Sequence, residues 1–533
     1  MDSNRHESVA SLTNYFAEST SMHGVSRFVG KRGFFRRAFW VLAVLAGAGV
    51  AVYNIWTIVI VYSRWEVSTV VSLKYNSRLR FPAITFCNLN PVMKSSIEVI
   101  QTVFDSLKTT SQFQNAIAPT QGSQLFGSVS SAVSNGDVRL FESGSSSVSN
   151  EEFNSGFLKR INFQRVLASL NTSVKIQIGH QISDMLLECS FQGLVCSHRN
   201  FTHFYNYMHG NCYTFNPTDD DSTYISRTGP LYGLSLTLYA DEGEYISNLS
   251  SSVGFKVVVH SPNTMPFPED DGFDISPGFA TSVGVTKVAV ERVSHPYGNC
   301  KLYAEGAEEP PNIFTTEVPN ISYSDKTCKR TCLQKMLVSE CGCCYNIYPC
   351  NSDALNIINS SIPHPVGFCN IETNKNETCA SAALKRHKNN QLICPDTCDP
   401  PCQDESHQLE ISTAMWPASN YLSSLLDDFI NGLRNKQSVS PINENASADD
   451  KDTFFRRNML KLNVFYKELN YQKIRTRPSY DWKSLLSDVG GQAGLWLGFS
   501  LLTLGEVLEL IADVVIHICT KPFRSKKVEV SSK

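Results

Sequence analysis

The chain has 533 residues, a formal net charge of −3 and 18% charged residues. That length suits one large lobed domain or several smaller ones, and the charge balance argues against nucleic acid as a partner. No phosphate loop and no supported Ser-His-Asp order is found, so an enzyme reading is poor.

Residues 1–38 are mostly polar and basic, with Arg27, Lys31, Arg32, Arg36 and Arg37 gathered at their end. Residues 39–62 follow, an apolar run whose only ionisable groups are tyrosines, and it meets the ~20-residue requirement for a spanning helix. Its length and its position after a polar segment are wrong for a cleaved signal peptide. Beyond it, Arg80 to Pro91 (RFPAITFCNLNP) reads as a strand ended by Asn and Pro. Ile97 to Leu107 and Phe163 to Leu170 have helical apolar spacing. Between these, Gln121 to Gly156 is rich in Ser, Gly and Asn, the composition of an exposed loop.

Leu234 to Tyr239, Val253 to His260 and Leu462 to Ile474 read as strands. The last runs into a second apolar stretch, Gly490 to Cys519, which keeps Ser500, Thr503, Glu506, Glu509, Asp513 and His517 inside it. From Glu506 the offsets to Glu509, Asp513 and His517 place those groups on one helical face. Carboxylates at bilayer depth must face protein or water, so the stripe reads as pore lining; the alternative is an anchor whose polar face packs on neighbouring helices. Lys521, Arg524, Lys526 and Lys527 follow it, and positive charge stays cytoplasmic. Both termini are therefore expected inside, with residues 63–487 outside.

Two chemistries agree with that topology. Of the 17 Cys, 16 lie between Cys87 and Cys402, on the oxidising side, and only Cys519 lies elsewhere. The N-x-Ser/Thr acceptors Asn171, Asn200, Asn248, Asn320, Asn359, Asn376 and Asn445 all fall in the same stretch. Cys328/Cys332 and Cys394/Cys398 share a four-residue spacing, about one helical turn. Two antiparallel segments can then be joined in rungs, Cys328 with Cys398 and Cys332 with Cys394, with Cys300 and Cys402 as an outer rung. The alternative is a zinc site, suggested by the crowding of Cys341, Cys343 and Cys344 but lacking clustered His.

Eight marks occur in order along the chain: His23-Gly24, FPAITFCNLNP at Phe81 to Pro91, GNCYTFN at Gly210 to Asn216, YSDKTCKRTC at Tyr323 to Cys332, CGC at Cys341 to Cys343, CPDTCDPPC at Cys394 to Cys402, MWP at Met415 to Pro417, and GGQAGLWLGFS at Gly490 to Ser500. By these marks the chain resembles the degenerin/epithelial sodium channel/acid-sensing ion channel family over nearly its whole length. The CNLNP ending, the Ser-rich insertion and the extra cysteines look most like the FMRFamide-gated branch. The resemblance implies an α+β membrane protein, a homotrimer with two transmembrane helices per subunit and a disulfide-rich extracellular region of palm, finger, thumb, knuckle and β-ball. It implies a plasma-membrane, sodium-selective channel blocked by amiloride, with Na+ as permeant ion and no cofactor. Its parts would be a cytoplasmic segment 1–38, helix 39–62, extracellular domain 63–487, helix 488–518 and tail 519–533.

The resemblance also implies the pairs Cys87 with Cys212, Cys189 with Cys196, Cys341 with Cys379 and Cys343 with Cys369, beside the three rungs. Cys344 and Cys350 are additional to the usual fourteen and are left to pair with each other. Gly498-Phe499-Ser500 stands at the family's selectivity position, where small residues permit close approach and carbonyls with a hydroxyl replace part of an ion's water shell. Gly490, Gly494 and Gly498 also fit ordinary small-xxx-small helix packing. Below them Glu506, Glu509 and Asp513 would form carboxylate rings that favour cations by charge alone. Ser487, Asp488 and Gly491 lie at the family's gate region. His23-Gly24 matches a cytoplasmic gating motif that enters the inner pore, although the same dipeptide in a polar tail is commonly a solvated one.

The stimulus is less legible. Proton-gated relatives carry paired His after the first helix, where this chain has Glu66-Val67. The carboxylate runs Asp219-Asp220-Asp221 and Glu269-Asp270-Asp271 would titrate together if buried, and are solvated loop acids otherwise. An RFamide peptide would need an aromatic pocket and a carboxylate; Phe201, Phe204, Tyr205 and Tyr207 are the aromatic candidates. A proton-gated channel and a two-span scavenger or adhesion receptor are the alternatives.

Overall fold

The computed structural model describes residues 9–29, 33–97, 163–218, 223–246, 249–302, 312–358, 366–369, 379–389, 398–418, 420–421 and 447–529. The chain divides into two compact units, one made of residues 1–70, 293–298 and 476–533, the other of 71–292 and 299–475.

The first unit is helical. Helices α1 (Val9–Ser19) and α2 (Val25–Val29) precede α3 (Phe34–Ser63), which among the described residues is the helix long and apolar enough to cross a membrane. At 1.5 Å per residue its 30 residues reach about 45 Å, more than the ~30 Å hydrocarbon core needs. The second expected span differs from the sequence reading. It is two helices, broken between Leu497 and Leu501, because Gly498 takes φ +66° and ends the first of them.

The second unit is built on sheets, whose strands run in chain order as β1 (Val67–Tyr75), β2 (Leu79–Arg80), β3 (Ala83–Asn88), β4 (Leu186–Phe191), β5 (Leu194–Val195), β6 (Phe201–Asn206), β7 (Gly210–Phe215), β8 (Tyr224–Ile225), β9 (Leu234–Tyr239), β10 (Phe255–His260), β11 (Phe273–Ile275), β12 (Phe279–Glu291), β13 (Gln403–Met415), β14 (Met459–Tyr466) and β15 (Asn470–Pro478). The larger sheet has the order β1-β15-β12-β14-β9-β4-β5, with β13 also on β12; the second has the order β11-β10-β3-β7-β6; β2 pairs with β8. The run read as one strand over 462–474 is therefore two, β14 and β15, which lie side by side with β12 in parallel. Alternation in β14 buries Leu460, Leu462, Val464 and Tyr466 fully against the core, where Phe81, Ile84, Phe86 and Phe255 meet them. The expected helix at 97–107 and the Ser-rich stretch lie outside the described residues, apart from Ile97, while 163–169 is helical.

Around these sheets stand α4 (Thr172–Ile178), the single turn α5 (Pro268–Asp271) and α6 (Asp325–Cys341). Ser324 caps α6 by accepting from the Thr327 amide, and Gly342 at φ +65° ends it. Disulfides join Cys87 to Cys212, Cys189 to Cys196, Cys300 to Cys402, Cys328 to Cys398, Cys341 to Cys379, Cys343 to Cys369 and Cys344 to Cys350. Cys341, Cys343 and Cys344 are thus oxidised, which removes the thiolates a zinc site would need. Cys394 lies outside the described residues, and so do Asn248, Asn359, Asn376, Asn445 and the run Asp219-Asp220-Asp221. Asn171, Asn200 and Asn320 are exposed.

Beside β3, His180 is only 5% exposed, and its Nε2 meets the Asn90 amide at 3.1 Å. Burial pushes its pKa down to about 4. The unfolded chain therefore takes up a proton first as pH falls below about 6.5, and stability drains between there and about pH 4. We expect this one group to remove about 3 kcal/mol over that range. Thermal unfolding of the purified full-length protein across that window should show a shallower acid loss in His180→Gln; an unchanged slope would refute the assignment.

Candidate functional site

The break between the two C-terminal helices, α7 (Trp482–Leu497) and α8 (Leu501–Glu529), follows from hydrogen bonding at each end. Gly498 and Phe499 donate back to Gly494 and Ala493 at 2.9 and 3.2 Å, closing α7. Ser500 opens α8: its Oγ accepts from the Thr503 amide at 3.2 Å, and its own amide donates to Thr503 Oγ1 at 3.1 Å. The Gly-Phe-Ser triplet is thus the whole inter-helix turn. Of the three glycines read as a packing stripe, and among the described residues outside the local helix backbone, Gly490 meets no atom within 4 Å of where a Cβ would stand, and Gly494 only the Phe499 carbonyl at 3.7 Å. Gly498 is different, since that Cβ would lie 2.6 Å from His23 Cδ2 and 2.9 Å from the His23 amide nitrogen.

The N-terminal segment fills that place. His23 N–H donates to the Leu497 carbonyl at 2.9 Å, a group left without a helical partner where α7 ends. Gly24 takes φ +80°, with Val44 Cγ2 at 2.9 Å from the position of a Cβ and Trp40 beyond it, so a side chain would strike α3. The turn between α1 and α2 therefore lies along the 498–500 turn, and glycine is required at both contacts.

Two more residues of that segment reach further along α8. Thr20 Oγ1 donates to Glu506 Oε2 at 2.8 Å and the Ser21 amide donates to the same oxygen at 3.0 Å, while Ser21 Oγ and Thr503 Oγ1 are 2.8 Å apart. Thr503 is fully buried and Glu506 half-buried. The structure thus gathers His23, Gly24, Gly498, Ser500 and Glu506 with Thr503, which the sequence marks only as one of the polar residues inside the second apolar stretch, and adds Thr20 and Ser21, which it did not single out. Glu509 and Asp513 do not join them; both are exposed along α8. Ser487, Asp488 and Gly491 are exposed on α7, where Tyr480 donates to Asp488 at 2.5 Å. Within this same unit α3 and α7 are joined by Asn54 donating to Gln492 at 2.8 Å.

In the sheet unit the four aromatic candidates separate. Phe201 packs on Phe86 and Phe215 as core. Phe204 lines a cavity of about 210 Å³. Tyr205 and Tyr207 lie behind it beneath the Lys175 ammonium, 5.7 and 5.1 Å from their centroids, and Tyr207 donates to Glu317 at 3.1 Å. Burial dominates the titration here: it lowers Lys175 to about 8 against the opposing field of Glu317, and it raises Glu317. Lys175 and Glu317 carry no motif and were missed.

The acidic run Glu269-Asp270-Asp271 is ion-paired, not a set of unpaired loop acids. It forms α5, and its carboxylates are matched by α6: Glu269 and Asp270 each bind Arg330 at 2.6 Å, and Asp271 binds Lys326 at 2.6 Å. The Arg330 guanidinium also stacks 3.6 Å from the Phe267 centroid.

A membrane-length helix beside a broken one, with a buried hydroxyl and a capped carboxylate at the break, suits an ion-conducting subunit. The comparisons agree. Residues 16–510 match the model of a family described as amiloride-sensitive sodium channel. The chain is 27% identical to the epithelial sodium channel subunit gamma of Pelodiscus sinensis, over 94% of this chain and 80% of that one. It is 27% identical to the subunit alpha of Neoceratodus forsteri, covering 99% and 83%, and 27% to the subunit gamma of Rattus norvegicus, covering 94% and 81%. The chain belongs to the amiloride-sensitive sodium channel family. That family is one of membrane ion channels, and the receptor alternative gives way to that membership.

Proposed function

We propose that three copies of this chain form a sodium-selective, amiloride-blocked channel of the plasma membrane, opened from outside by a peptide ending in an Arg-Phe-amide. Both termini are cytoplasmic, residues 39–62 and 488–518 cross the bilayer, and 63–487 stand outside. The observation that carries the channel part is the turn at Gly498 to Ser500, held by His23 and followed by Glu506, whose carboxylate accepts from Thr20 and Ser21. In a threefold assembly this turn supplies carbonyls and a hydroxyl at the narrow point, and Glu506, Glu509 and Asp513 supply successive rings of negative charge for cations.

Support for a peptide stimulus is the pairing of an aromatic wall at Phe204 with the carboxylate of Glu317. A proton stimulus is the second reading, favoured by Asp241, which burial and the neighbouring Glu244 push up to about 6.

Expressed in oocytes, the chain should pass inward sodium current on application of an Arg-Phe-amide peptide, removed by amiloride. No current at any soluble peptide concentration would overturn the peptide reading, and current on acidification alone would favour the second. Ser487→Trp should give standing amiloride-sensitive current without stimulus, because Ser487 is exposed on α7 in the proposed gate region. An unchanged resting current would remove Ser487 from the gate.

A further inference from the structure

The cavity beside Phe204 is walled on one side by β6, β7 and the end of β10, and on the other by residues 317–321, the stretch that leads into the Ser324 cap of α6. Its apolar wall includes Phe204, Pro217, Pro266, Val318 and Ile321. About 210 Å³ is the room of roughly seven waters at ~30 Å³ each, enough for one aromatic ring with a short chain.

Its charge has one sign. Among the lining residues Glu317 is the sole carboxylate, and none is Lys or Arg. The two histidines on the wall are kept neutral by burial, His260 being pushed down to about 4 and His203 also lowered. Both are held by neighbours: His203 Nε2 meets Asn211 Oδ1 at 2.9 Å, and His260 Nε2 meets Thr85 Oγ1 at 2.9 Å. Glu317 is half-buried, and Tyr207 satisfies one of its oxygens. An apolar recess with one partly shielded negative charge complements a ring beside one cation.

We propose that this cavity is a recognition site for an extracellular ligand that presents an aromatic ring beside a single positive charge, with Glu317 as its anchor. The proposal rests on the reading that a ligand opens the channel, and names the chemistry of that ligand. A bound cation would compete with the Tyr207 hydroxyl for Glu317 and add to the field on Lys175, which α4 holds over the Tyr205 and Tyr207 rings. Occupancy would therefore reach α4, and through residues 317–321 the start of α6.

The test uses the full-length channel in cells with Thr218→Cys, an exposed lining position, and a membrane-impermeant cationic methanethiosulfonate. Probes are N-acetyl-Arg-Phe-amide, phenethylamine and neutral benzyl alcohol, each run also with Asn320→Gln so that a glycan at the rim cannot shield the thiol. Both cationic probes should slow modification about tenfold at saturation and benzyl alcohol should not. Adding Glu317→Gln should raise the concentration that gives half-protection about ten- to a hundredfold, the worth of one charge-assisted contact.

Protection untouched by Glu317→Gln overturns the anchor, and equal protection by benzyl alcohol overturns the charge requirement. A peptide that protects without opening current leaves this site standing and removes the peptide stimulus. A peptide that opens current, neither protects nor loses potency in Glu317→Gln, leaves the stimulus standing and removes this site. Absence of both effects removes both.

Discussion

Gly498→Ala is expected to abolish amiloride-sensitive current while the protein still reaches the cell surface. Two physical terms act together. Gly498 holds φ +66°, where an L side chain costs roughly 1–2 kcal/mol. The new methyl would also stand 2.6 Å from His23 Cδ2, 2.7 Å from His23 Cγ and 2.9 Å from the His23 amide nitrogen, so either the N-terminal segment or the turn must move. The ring can move away, but the amide nitrogen is fixed by its bond to the Leu497 carbonyl. Adding His23→Ala should therefore restore current only in part, because the backbone clash remains. Current measured against surface biotinylation checks this; wild-type current and selectivity in Gly498→Ala would show that close contact with His23 is unnecessary. The contacts that change lie within the helical unit, so loss of surface protein is not the expected route.

The second large effect is expected at Arg330, where the acids of α5 meet α6. Its side chain is 13% exposed, that of Glu269 is 16%, and Asp270 at 44% is wet enough to contribute little by itself. Arg330→Met keeps the stem but strands Glu269, which is then left with the Asn206 amide at 3.2 Å. Leaving a mostly buried carboxylate without its cation costs about 3 kcal/mol or more. Loss of the stack on Phe267 adds to this. A disulfide-rich membrane protein is best compared by its unfolding half-life, which should fall at a fixed elevated temperature. Glu269→Gln in the Arg330→Met background should return part of the loss, since no charge is then stranded. Arg330→Lys should recover less than half, because an ammonium cannot bind two carboxylates and stack on a ring at once. Equal half-lives for the wild type and Arg330→Met would show the clamp to be surface decoration.

Glu269-Asp270-Asp271 illustrates what a sequence leaves open. The three acids are plain in the chain, yet whether they repel, titrate or pair depends on Lys326 and Arg330, more than 50 positions away. The same holds for Phe201, Phe204, Tyr205 and Tyr207. Alternation along β6 cannot say that Phe201 meets core rings while Phe204 lines a cavity, because the opposing wall is residues 317–321. Strand β13 was missed because its exposed, polar face carries no alternating apolar signal, although all 13 of its residues pair with β12. The break at Gly498 was missed because hydrophobic periodicity runs through it, and a positive φ leaves no mark beyond the glycine itself.

By itself the sequence determined the features that depend on composition and short spacing: an apolar run of membrane length at 39–62, 16 of the 17 cysteines gathered between it and the second apolar stretch, a small-residue triplet at 498–500, and carboxylates down one face below that triplet. Such features need only the chain's local geometry and its solvent. Only the tertiary structure decided that Thr20 and Ser21 hold Glu506, 486 and 485 positions away, that His23 occupies the space Gly498 leaves, and that Glu317 faces Phe204. Those contacts are made between segments whose separate sequences carry no periodicity in common, so each becomes legible only when folding has closed the loop between them.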